Sequence, residues 1–400
     1  MNWEELAKEL TVQTDSKIVL LVIDGLGGLP VRGKTELETA ETNNLDRLAL
    51  RGTCGLTDPV LMGVTPGSGP AHLGLFGYDP LRHQLGRGIL EALGSDVEVK
   101  EGDLVARGNF ATLRNGLITD RRAGRIPTGE GERLCGLLNA AFAGRTDPEI
   151  TLTAGKEHRF VVRFRTAGLA DALTDADPQK DGKPPIPTAP LAPEAAKAAA
   201  VVNAFLNDVI RILKAETVAN AVLLRGFSVQ PSIPSLPDLY KLRPAGIANY
   251  PMYKGLAKLL GMTTYKVGTE TADLFAALEA HYAEHDFFYI HYKKTDAAGE
   301  DGAFSAKVRA IEEIDSFIPR IEALKPDVLV VTADHSTPAL MHGHSWHPNP
   351  FLLVSPTALP DGTGVFTERE CGGGLLGRFP SVNAMPLMLA HAGKLKKYGA

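Results

Sequence analysis

Acidic and histidine side chains stand where the sequence predicts several strands to end. They are Asp24, Asp296, Asp334 and His335, followed by the loop histidines His342, His344 and His347. In an open α/β sheet the carboxyl ends of the strands meet at one edge, and ligands bind there. Carboxylate and imidazole together suit Mn²⁺ or Zn²⁺, whereas Mg²⁺ prefers oxygen alone. One aspartate in such a place is usually a turn former or a helix cap. Four such residues at one edge predict a divalent-metal site.

A second feature is the loop Thr65–His72, with the sequence TPGSGPAH. Small residues that lead into a helix expose backbone N–H groups to an anion and let a phosphate approach closely. Ser68 stands at the start of that helix, and its hydroxyl needs a base or a metal to become a nucleophile. An isolated serine would merely cap the helix. Beside a metal site, Ser68 becomes a candidate nucleophile.

The middle of the chain is rich in basic side chains. They are Arg121, Arg122, Arg125, His158, Arg159 and Arg225, joined further on by Lys254. Guanidinium groups pair bidentately with carboxylate and phosphate, as a small dianionic substrate requires. For each residue alone, a solvated surface position is the simpler interpretation. As a set, they indicate a substrate-binding region.

Strands and helices alternate around the acidic residues. Segment 17–24 is a continuous apolar run of the kind found in strands that are buried on both faces. Further runs at 287–292, 327–332 and 351–355 are separated by apolar helical stripes, one of which extends from Phe304 to Ile321. This alternation predicts a doubly wound α/β fold with a mostly parallel sheet.

The pattern changes in the middle of the chain. Segment 109–125 is rich in arginine, and segment 177–193 carries many prolines and is unsuited to regular structure. We therefore predict a smaller α+β domain at 87–240. It would be inserted into a sheet domain formed by 1–86 and 241–400.

The composition excludes several classes of protein. A chain of 400 residues with 44% hydrophobic content can bury a large core. Its formal charge of -5 gives no basic field for nucleic acid or anionic lipid. The cysteines Cys54, Cys135 and Cys371 lack metal or redox spacing, which favours a reducing compartment and a cytoplasmic location. Residues 1–10 carry three glutamates, unlike a signal peptide, and the sequence shows no apolar run long enough for a membrane span.

Several short motifs occur in one order along the chain. They are Asp24-Gly25, GSGPAHL from Gly67, LFGYDP from Leu75, NFAT from Asn109, DRRAGRI from Asp120, TDAAG from Thr295 and TADHSTP from Thr332. Together they resemble the archaeal-type, bisphosphoglycerate-independent phosphoglycerate mutases of the alkaline phosphatase superfamily, over essentially the whole chain. The resemblance implies an alkaline-phosphatase-like metal domain with an inserted substrate-binding domain that acts as a lid and excludes water.

The resemblance also implies a role for each matching residue. Asp24, Ser68, Asp334 and His335 match the ligands of one metal, with Ser68 as the phosphorylated catalytic nucleophile. Asp296 and His344 match two ligands of a second metal. The matching substrate contacts are His72, Arg121, Arg122, Arg159, Arg225 and Lys254.

One position departs from the family pattern. Most relatives have a histidine four residues after the aspartate that matches Asp296, whereas this chain has Glu300. A carboxylate also binds divalent ions, and it would make the second site more tolerant of Mg²⁺ or Mn²⁺. The alternative is a weaker or altered site in which Asp301 or His347 takes part.

The resemblance implies interconversion of 3-phosphoglycerate and 2-phosphoglycerate in glycolysis and gluconeogenesis, through a phosphoserine. It implies two divalent ions, with Mn²⁺ favoured over Mg²⁺, Co²⁺ or Zn²⁺, and no bisphosphoglycerate. The expected partner is the small-molecule substrate, with no nucleic acid or membrane, and the sequence leaves open whether the chain forms a homo-oligomer. Two alternatives stand beside the mutase: a phosphomonoester or phosphonate hydrolase with the same core, and a catalytically silent relative.

Overall fold

The computed structural model describes residues 3–399, and the chain divides into two compact units. The first unit contains the segments up to Gln84 and from Ile233 onward, and the second is Leu85–Ser232. The helix Leu236–Tyr240, which lies inside the range expected for the insert, belongs to the first unit. Among residues 3–399, no helix combines the length and apolarity that a membrane crossing requires.

Strands and helices are numbered along the chain. The strands are β1 Ile18–Ile23, β2 Thr53–Asp58, β3 Leu104–Arg114, β4 Leu117–Asp120, β5 Glu149–Ala154, β6 Arg159–Arg165, β7 Ala221–Val229, β8 Pro244–Ile247, β9 Thr263–Thr264, β10 Phe287–Tyr292, β11 Val328–Thr332, β12 Asn349–Val354 and β13 Gly377–Pro380. The α-helices are α1 Trp3–Leu10, α2 Glu36–Thr39, α3 Asn43–Ala49, α4 Ser68–Leu75, α5 Arg87–Gly94, α6 Thr128–Phe142, α7 Ala196–Ile212, α8 Leu236–Tyr240, α9 Pro251–Leu259, α10 Thr271–His281, α11 Lys294–Glu300, α12 Phe304–Asp315, α13 Ile318–Ala323, α14 Glu368–Gly372 and α15 Ala384–His391. Short 3₁₀ turns cover Ala123–Arg125, Pro193–Ala195, Leu213–Ala215, Ala339–Met341 and Ser381–Asn383.

Within the described residues, the first unit forms an eight-stranded sheet in the order β13-β2-β12-β11-β1-β10-β8-β9. Strand β1 lies between β10 and β11 and is parallel to both, and each of its residues is buried. The predicted α/β fold with a mostly parallel sheet is therefore confirmed. Strand β12, however, runs antiparallel to both of its neighbours.

The parallel register places the ends of three strands side by side. Ile18 at the start of β1 pairs with Phe287 of β10 and with Val328 of β11. Asp24 follows β1 directly, and Asp334 follows β11 by two residues. The predicted acids thus reach one edge of one sheet.

The apolar stripe from Phe304 to Ile321 forms two helices, α12 and α13, where the pattern suggested one continuous stripe. Pro319 lies in the first turn of α13. A proline ring fits the first turn of a helix but lacks the N–H that a continuous helix needs at its interior. Both helices still bury their apolar residues against the sheet core.

In the described chain the second unit has a five-stranded sheet in the order β4-β3-β6-β5, with β7 pairing to β3. The registers between its strands are antiparallel. Helices α6 and α7 supply Phe142 and Phe205 to its buried core. The proline-rich segment predicted as a loop at 177–193 forms no helix and no strand beyond isolated bridges as far as residue 192 of the described chain, and Pro193 begins a short 3₁₀ turn.

Candidate active site

Two groups of carboxylates and imidazoles lie in the first unit. One consists of Asp24, Asp334 and His335, and the other of Asp296, His335 and His344. Within each group, one ligand-type atom from each residue lies within 4.8 Å of the others. All of these residues except His344 are buried. His335 belongs to both groups, and the hydrogen bonds of its imidazole decide which group its metal-binding nitrogen faces.

The carboxylate of Asp24 is held through one oxygen. Its Oδ2 accepts hydrogen bonds from the Tyr253 hydroxyl at 2.5 Å and from Nε2 of His291 at 2.9 Å, and the Lys293 ammonium lies 3.1 Å away. Its Oδ1 is buried and accepts no hydrogen bond from any described residue. A buried carboxylate oxygen without a donor is costly unless a cation binds it. Asp24 therefore fits a monodentate metal ligand through Oδ1.

The hydroxyl of Thr337 fixes the orientation and the tautomer of His335. Thr337 donates its one proton to Oδ1 of Asp296 at 2.6 Å, because an ionised carboxylate is acceptor only. It therefore accepts from Nδ1–H of His335 at 3.0 Å. Nε2 of His335 is then available to a metal, and it lies 3.4 Å from Oδ1 of Asp24 and 3.1 Å from Oδ2 of Asp334. Nε2 of His335, the nitrogen that can bind a metal, therefore faces the Asp24 group.

The charges of this group suit a divalent ion. Burial raises the pKa of Asp24, but Lys293 and the neighbouring histidines outweigh it and hold that pKa well below its ordinary value. Burial lowers the pKa of His335, yet the carboxylates of Asp334 and Asp24 raise it to about 9. A cation at Nε2 would displace that proton. Oδ2 of Asp334, like Oδ1 of Asp24, is buried without a hydrogen bond within the part of the chain described. The donor set fits a metal.

The second group is built on Asp296 and His344. Nδ1–H of His344 donates to the carbonyl of Pro66 at 2.9 Å, so Nε2 is free to bind a cation. This Nε2 lies 3.6 Å from Oδ1 of Asp296 and 3.8 Å from Oε1 of Glu300. Asp296 already accepts from Thr337 through Oδ1 and from Lys293 through Oδ2. Glu300 brings a further carboxylate to within reach of this group, from a side chain that is about half exposed.

Ser68 is the first residue of α4, and its neighbour Gly67 precedes the helix in an extended conformation. The Ser68 hydroxyl lies 3.3 Å from Nε2 of His335 and is only partly buried. A hydroxyl beside a metal-type group is the arrangement that lowers the pKa of a serine and makes it nucleophilic. The geometry therefore offers an oxygen nucleophile on the Asp24 group.

The second unit carries an arginine cluster. Asp177 pairs with Arg121 at 2.7 Å and with Arg225 at 3.2 Å. Beside Arg225 is a cavity of about 230 Å³, which Arg87 and Arg107 also line. Burial lowers the pKa of Arg107, as do its cationic neighbours, although Glu91 opposes the shift. A cavity with this excess of guanidinium groups is suited to an anion.

Comparisons with known proteins agree with this chemistry. A family model described as 2,3-bisphosphoglycerate-independent phosphoglycerate mutase matches residues 49–219. A Thermosipho africanus protein named as a probable mutase of that kind is 51% identical over 398 residues, which cover 99% of each chain. The Thermus thermophilus relative of the same name is 51% identical over 406 residues and all of both chains.

The chain belongs to the 2,3-bisphosphoglycerate-independent phosphoglycerate mutase family.

Two solved structures are similar throughout. A Pyrococcus horikoshii protein has a TM-score of 0.83 at 29% identity and covers 96% of this chain and 99% of its own. The cofactor-independent phosphoglycerate mutase of Thermoplasma acidophilum has a TM-score of 0.72 at 29% identity, over 94% of this chain and 100% of its own. The resemblance inferred from the motifs is therefore confirmed at the level of the family.

Within this mutase family member, His72 is placed differently from our expectation of a substrate contact. Its side chain is completely buried, and burial lowers its pKa to about 4. Nδ1 donates to the Ser68 carbonyl at 2.8 Å and lies 3.3 Å from Oδ2 of Asp334. Because this imidazole is neutral and has no exposed surface, it supports Ser68 and Asp334 through these contacts and does not face a substrate.

The three loop histidines differ in whether they join a ligand group. His344 joins the second group, whereas His342 and His347 belong to neither group among residues 3–399. His342 is exposed, has a left-handed backbone with φ of 52°, and lies against Gly302. Nδ1 of His347 is hydrogen-bonded to the Ser345 hydroxyl at 3.0 Å. Their spacing alone did not distinguish them.

The remaining basic residues differ in their exposure. Arg122 and Arg125 are exposed, and Arg125 ends the 3₁₀ turn Ala123–Arg125. His158 is buried, and burial lowers its pKa to about 4, with Arg122 and Arg125 acting in the same direction. Nε of Arg159 is buried without a hydrogen-bond partner in the described chain. Lys254 lies on α9 of the first unit, partly exposed.

In this mutase family member, several residues that hold the ligands were not predicted from the sequence. They are Tyr253, His291, Lys293 and Thr337 around the metal-type groups, and Arg87 and Arg107 at the cavity. Two of them carried a usable signal. A histidine is unusual inside a buried strand such as FFYIHY, and a lysine three residues before Asp296 places a cation beside a predicted ligand. Thr337 lies within the TADHSTP motif, but the motif did not indicate its hydrogen bonds, and the hydroxyl of Tyr253 carried no signal.

Proposed function

We propose that this chain interconverts 3-phosphoglycerate and 2-phosphoglycerate without bisphosphoglycerate, by a metal-dependent reaction through a phosphoserine at Ser68. The observation that carries the proposal is the partly exposed Ser68 hydroxyl, 3.3 Å from Nε2 of His335. That nitrogen faces buried carboxylate oxygens of Asp24 and Asp334 that lack hydrogen bonds in the described chain. Membership in a family of phosphoglycerate mutases supports the same reaction.

The two groups would hold two divalent ions. One ion would be held by Asp24, Asp334 and His335 with the Ser68 hydroxyl, and the other by Asp296, His344 and Glu300. When bound, the ions supply positive charge that lowers the pKa of the serine hydroxyl and neutralises the phosphoryl oxygens. Mixed carboxylate and imidazole donors favour Mn²⁺, with Mg²⁺, Co²⁺ and Zn²⁺ as the alternatives.

The chain's own groups carry out the transfer in two displacements. Oγ of Ser68 gives up its proton and attacks the substrate phosphorus, the bond from phosphorus to the substrate oxygen breaks, and that oxygen takes up one proton, so that glycerate stays in the site beside the phosphoserine. The other hydroxyl of glycerate then gives up its proton and attacks the phosphorus, the bond from phosphorus to Oγ breaks, and Oγ takes up one proton. Lys293 fixes Asp24 and Asp296 relative to one another through ion pairs with both. Its ammonium adds a fixed positive charge beside the reacting groups.

Cationic side chains would bind the substrate's carboxylate and phosphate. We propose Arg121, Arg122, Arg159, Arg225 and Lys254 for this role, and we add Arg87 and Arg107 because they line the cavity beside Arg225. Phosphoglycerate carries two separate anionic groups, and arginine forks bind both kinds of group bidentately.

We place the reaction in glycolysis and gluconeogenesis in the cytoplasm. The three cysteines are buried free thiols, which fits a reducing compartment. The metal-dependent hydrolase differs only in the acceptor, because water in place of glycerate would release phosphate.

One coupled assay tests the proposal. The protein, loaded with Mn²⁺, Mg²⁺ or Co²⁺, is given 3-phosphoglycerate without bisphosphoglycerate, and both 2-phosphoglycerate and free phosphate are measured. We expect 2-phosphoglycerate as the main product. Free phosphate as the main product would favour the hydrolase, and absence of both products with every metal would overturn the proposal.

A further inference from the structure

Lys307 is a charged residue with no exposed surface. It lies on α12, and its side chain is completely buried. Its Nζ donates to the carbonyl of Gly27 at 2.9 Å and to the carbonyl of Thr337 at 2.8 Å. One ammonium therefore joins two backbone segments that are far apart in the sequence.

Those two segments carry the ligands of the Asp24 group. Gly27 lies three residues after Asp24, and Thr337 lies two residues after His335. The segments are also tied by their backbones, because the N–H of Thr337 contacts the carbonyls of Gly25 at 3.2 Å and Gly27 at 3.1 Å. Lys307 adds a side-chain clamp where the two backbones meet.

The clamp has its own counter-charge. Oε1 of Glu36 lies 4.0 Å from Nζ of Lys307 and accepts from the N–H of Ala339 at 2.8 Å. Burial lowers the pKa of Lys307 to about 8, although Glu36 and Glu368 act in the opposite direction. The side chain thus stays charged at neutral pH. Burying an ammonium is costly, and removing one partner of a buried ion pair usually lowers stability because the other charge is left uncompensated.

We propose that Lys307 is a positioning residue for the metal centre. It holds the segment after β1 and the segment after β11 at the separation that lets Asp24, Asp334 and His335 bind one ion. It acts through the two backbone carbonyls and lies outside both ligand groups of the described chain. The inference rests on the metal binding assumed in the proposed function.

Lys394 provides a matched control in the same unit. Its side chain is 1% exposed, its Nζ donates to the carbonyl of Thr14 at 2.8 Å, and Oδ2 of Asp286 lies 3.9 Å away. Asp286 directly precedes β10, whereas the ligands follow the carboxyl ends of the strands. Lys394 is therefore also a buried lysine that contacts a backbone carbonyl and an acid. It lies at the opposite end of a strand from the metal ligands.

The experiment compares Lys307→Met, Lys394→Met and the wild type. Mn²⁺ affinity of each metal-free protein is measured by calorimetry, and thermal unfolding of the same metal-free samples is recorded. We expect Lys307→Met to weaken Mn²⁺ binding by about 10-fold or more, as supporting residues around metal ligands usually do. Lys394→Met should keep the wild-type affinity. A purely structural role would lower thermal stability in both variants and leave Mn²⁺ affinity unchanged in both.

The outcomes separate the inference from the proposed function. Wild-type affinity in Lys307→Met, with normal binding by the wild type, overturns the positioning role and leaves the mutase proposal intact. If the wild type binds no Mn²⁺, the proposed metal sites themselves are wrong. If Lys307→Met does not fold, Lys307→Gln replaces it, since the amide retains a hydrogen-bond donor in a smaller volume. Weaker Mn²⁺ binding by Lys307→Gln then supports the positioning role, and wild-type affinity overturns it.

Discussion

Replacing Glu300 by glutamine tests whether this carboxylate is the third ligand of the second metal. Its Oε1 lies 3.8 Å from Nε2 of His344, and its side chain is 54% exposed. Glutamine keeps the size and hydrogen-bonding oxygen of the side chain and removes only the negative charge. The substitution therefore isolates the charge that distinguishes this chain from the family pattern at that position.

The magnitude follows from Coulomb's law, with the 3.8 Å between Oε1 of Glu300 and Nε2 of His344 taken as the distance to a bound ion. Two unit charges about 4 Å apart interact by about 1 kcal/mol in water, and a divalent ion doubles this to about 2 kcal/mol. The value for water is the right one because solvent screens a half-exposed side chain. At about 1.4 kcal/mol for each factor of ten, the loss corresponds to about a 30-fold weaker second site.

The assay is a metal titration of metal-free wild type and variants with Mn²⁺, Co²⁺ and Zn²⁺. Glu300→Gln should weaken one of two Mn²⁺ sites, and Glu300→Ala should lower its occupancy similarly. Glu300→His should shift the preference toward Co²⁺ or Zn²⁺, since imidazole is a softer donor than carboxylate. Asp301→Asn is the matched control, because it removes the next carboxylate in the chain, which lies outside both proposed ligand sets.

Two results would refute this reasoning. Titration curves of Glu300→Gln that superimpose on those of the wild type mean that Glu300 is no ligand. A loss of affinity in Asp301→Asn instead of Glu300→Gln would transfer the role to Asp301.

The remaining predictions concern the nucleophile, the metals, the cavity and the core. Ser68→Ala should abolish turnover and leave thermal unfolding nearly unchanged, and mass spectrometry of trapped wild type should find phosphate on Ser68; phosphate elsewhere contradicts this. Exhaustive chelation should abolish activity, so an enzyme that stays active without metal contradicts the ligand assignment. Arg107→Met should raise KM by roughly 10- to 100-fold through loss of a charge-assisted hydrogen bond, and an unchanged KM removes Arg107 from the substrate site. Phe205 packs 5.4 Å from the Phe142 ring and 5.2 Å from the Phe164 ring, so Phe205→Ala should cost about 3–5 kcal/mol in urea unfolding; a loss below about 1 kcal/mol would show that this core relaxes freely.

The sequence alone was sufficient for two central strands, but it did not predict the helix α11 that carries Asp296 and Glu300. The run 17–24 contains β1, and 287–292 coincides with β10, because short continuous runs rich in β-branched or aromatic residues favour buried strands. The pattern could not give the direction of β12, since burial on both faces looks the same in parallel and antiparallel strands. It also missed the break before α13, because apolar spacing continues across it.

Residue types at the strand ends also predicted which acids meet, because parallel strands deliver their carboxyl ends to one edge. The sequence could not choose among the loop histidines. His344 joins a group because Nδ1 finds the carbonyl of Pro66, a partner 278 positions away in the chain. His342 and His347 have the same chemistry but different neighbours.

Only the tertiary structure decided how the ligands are oriented. Thr337 determines which nitrogen of His335 faces the Asp24 group, and Lys307 joins the segments after β1 and β11. Both depend on hydrogen bonds between residues distant in sequence. Apolar periodicity records whether a residue is buried, whereas a hydrogen bond depends on distances and angles that are set when the chain is packed.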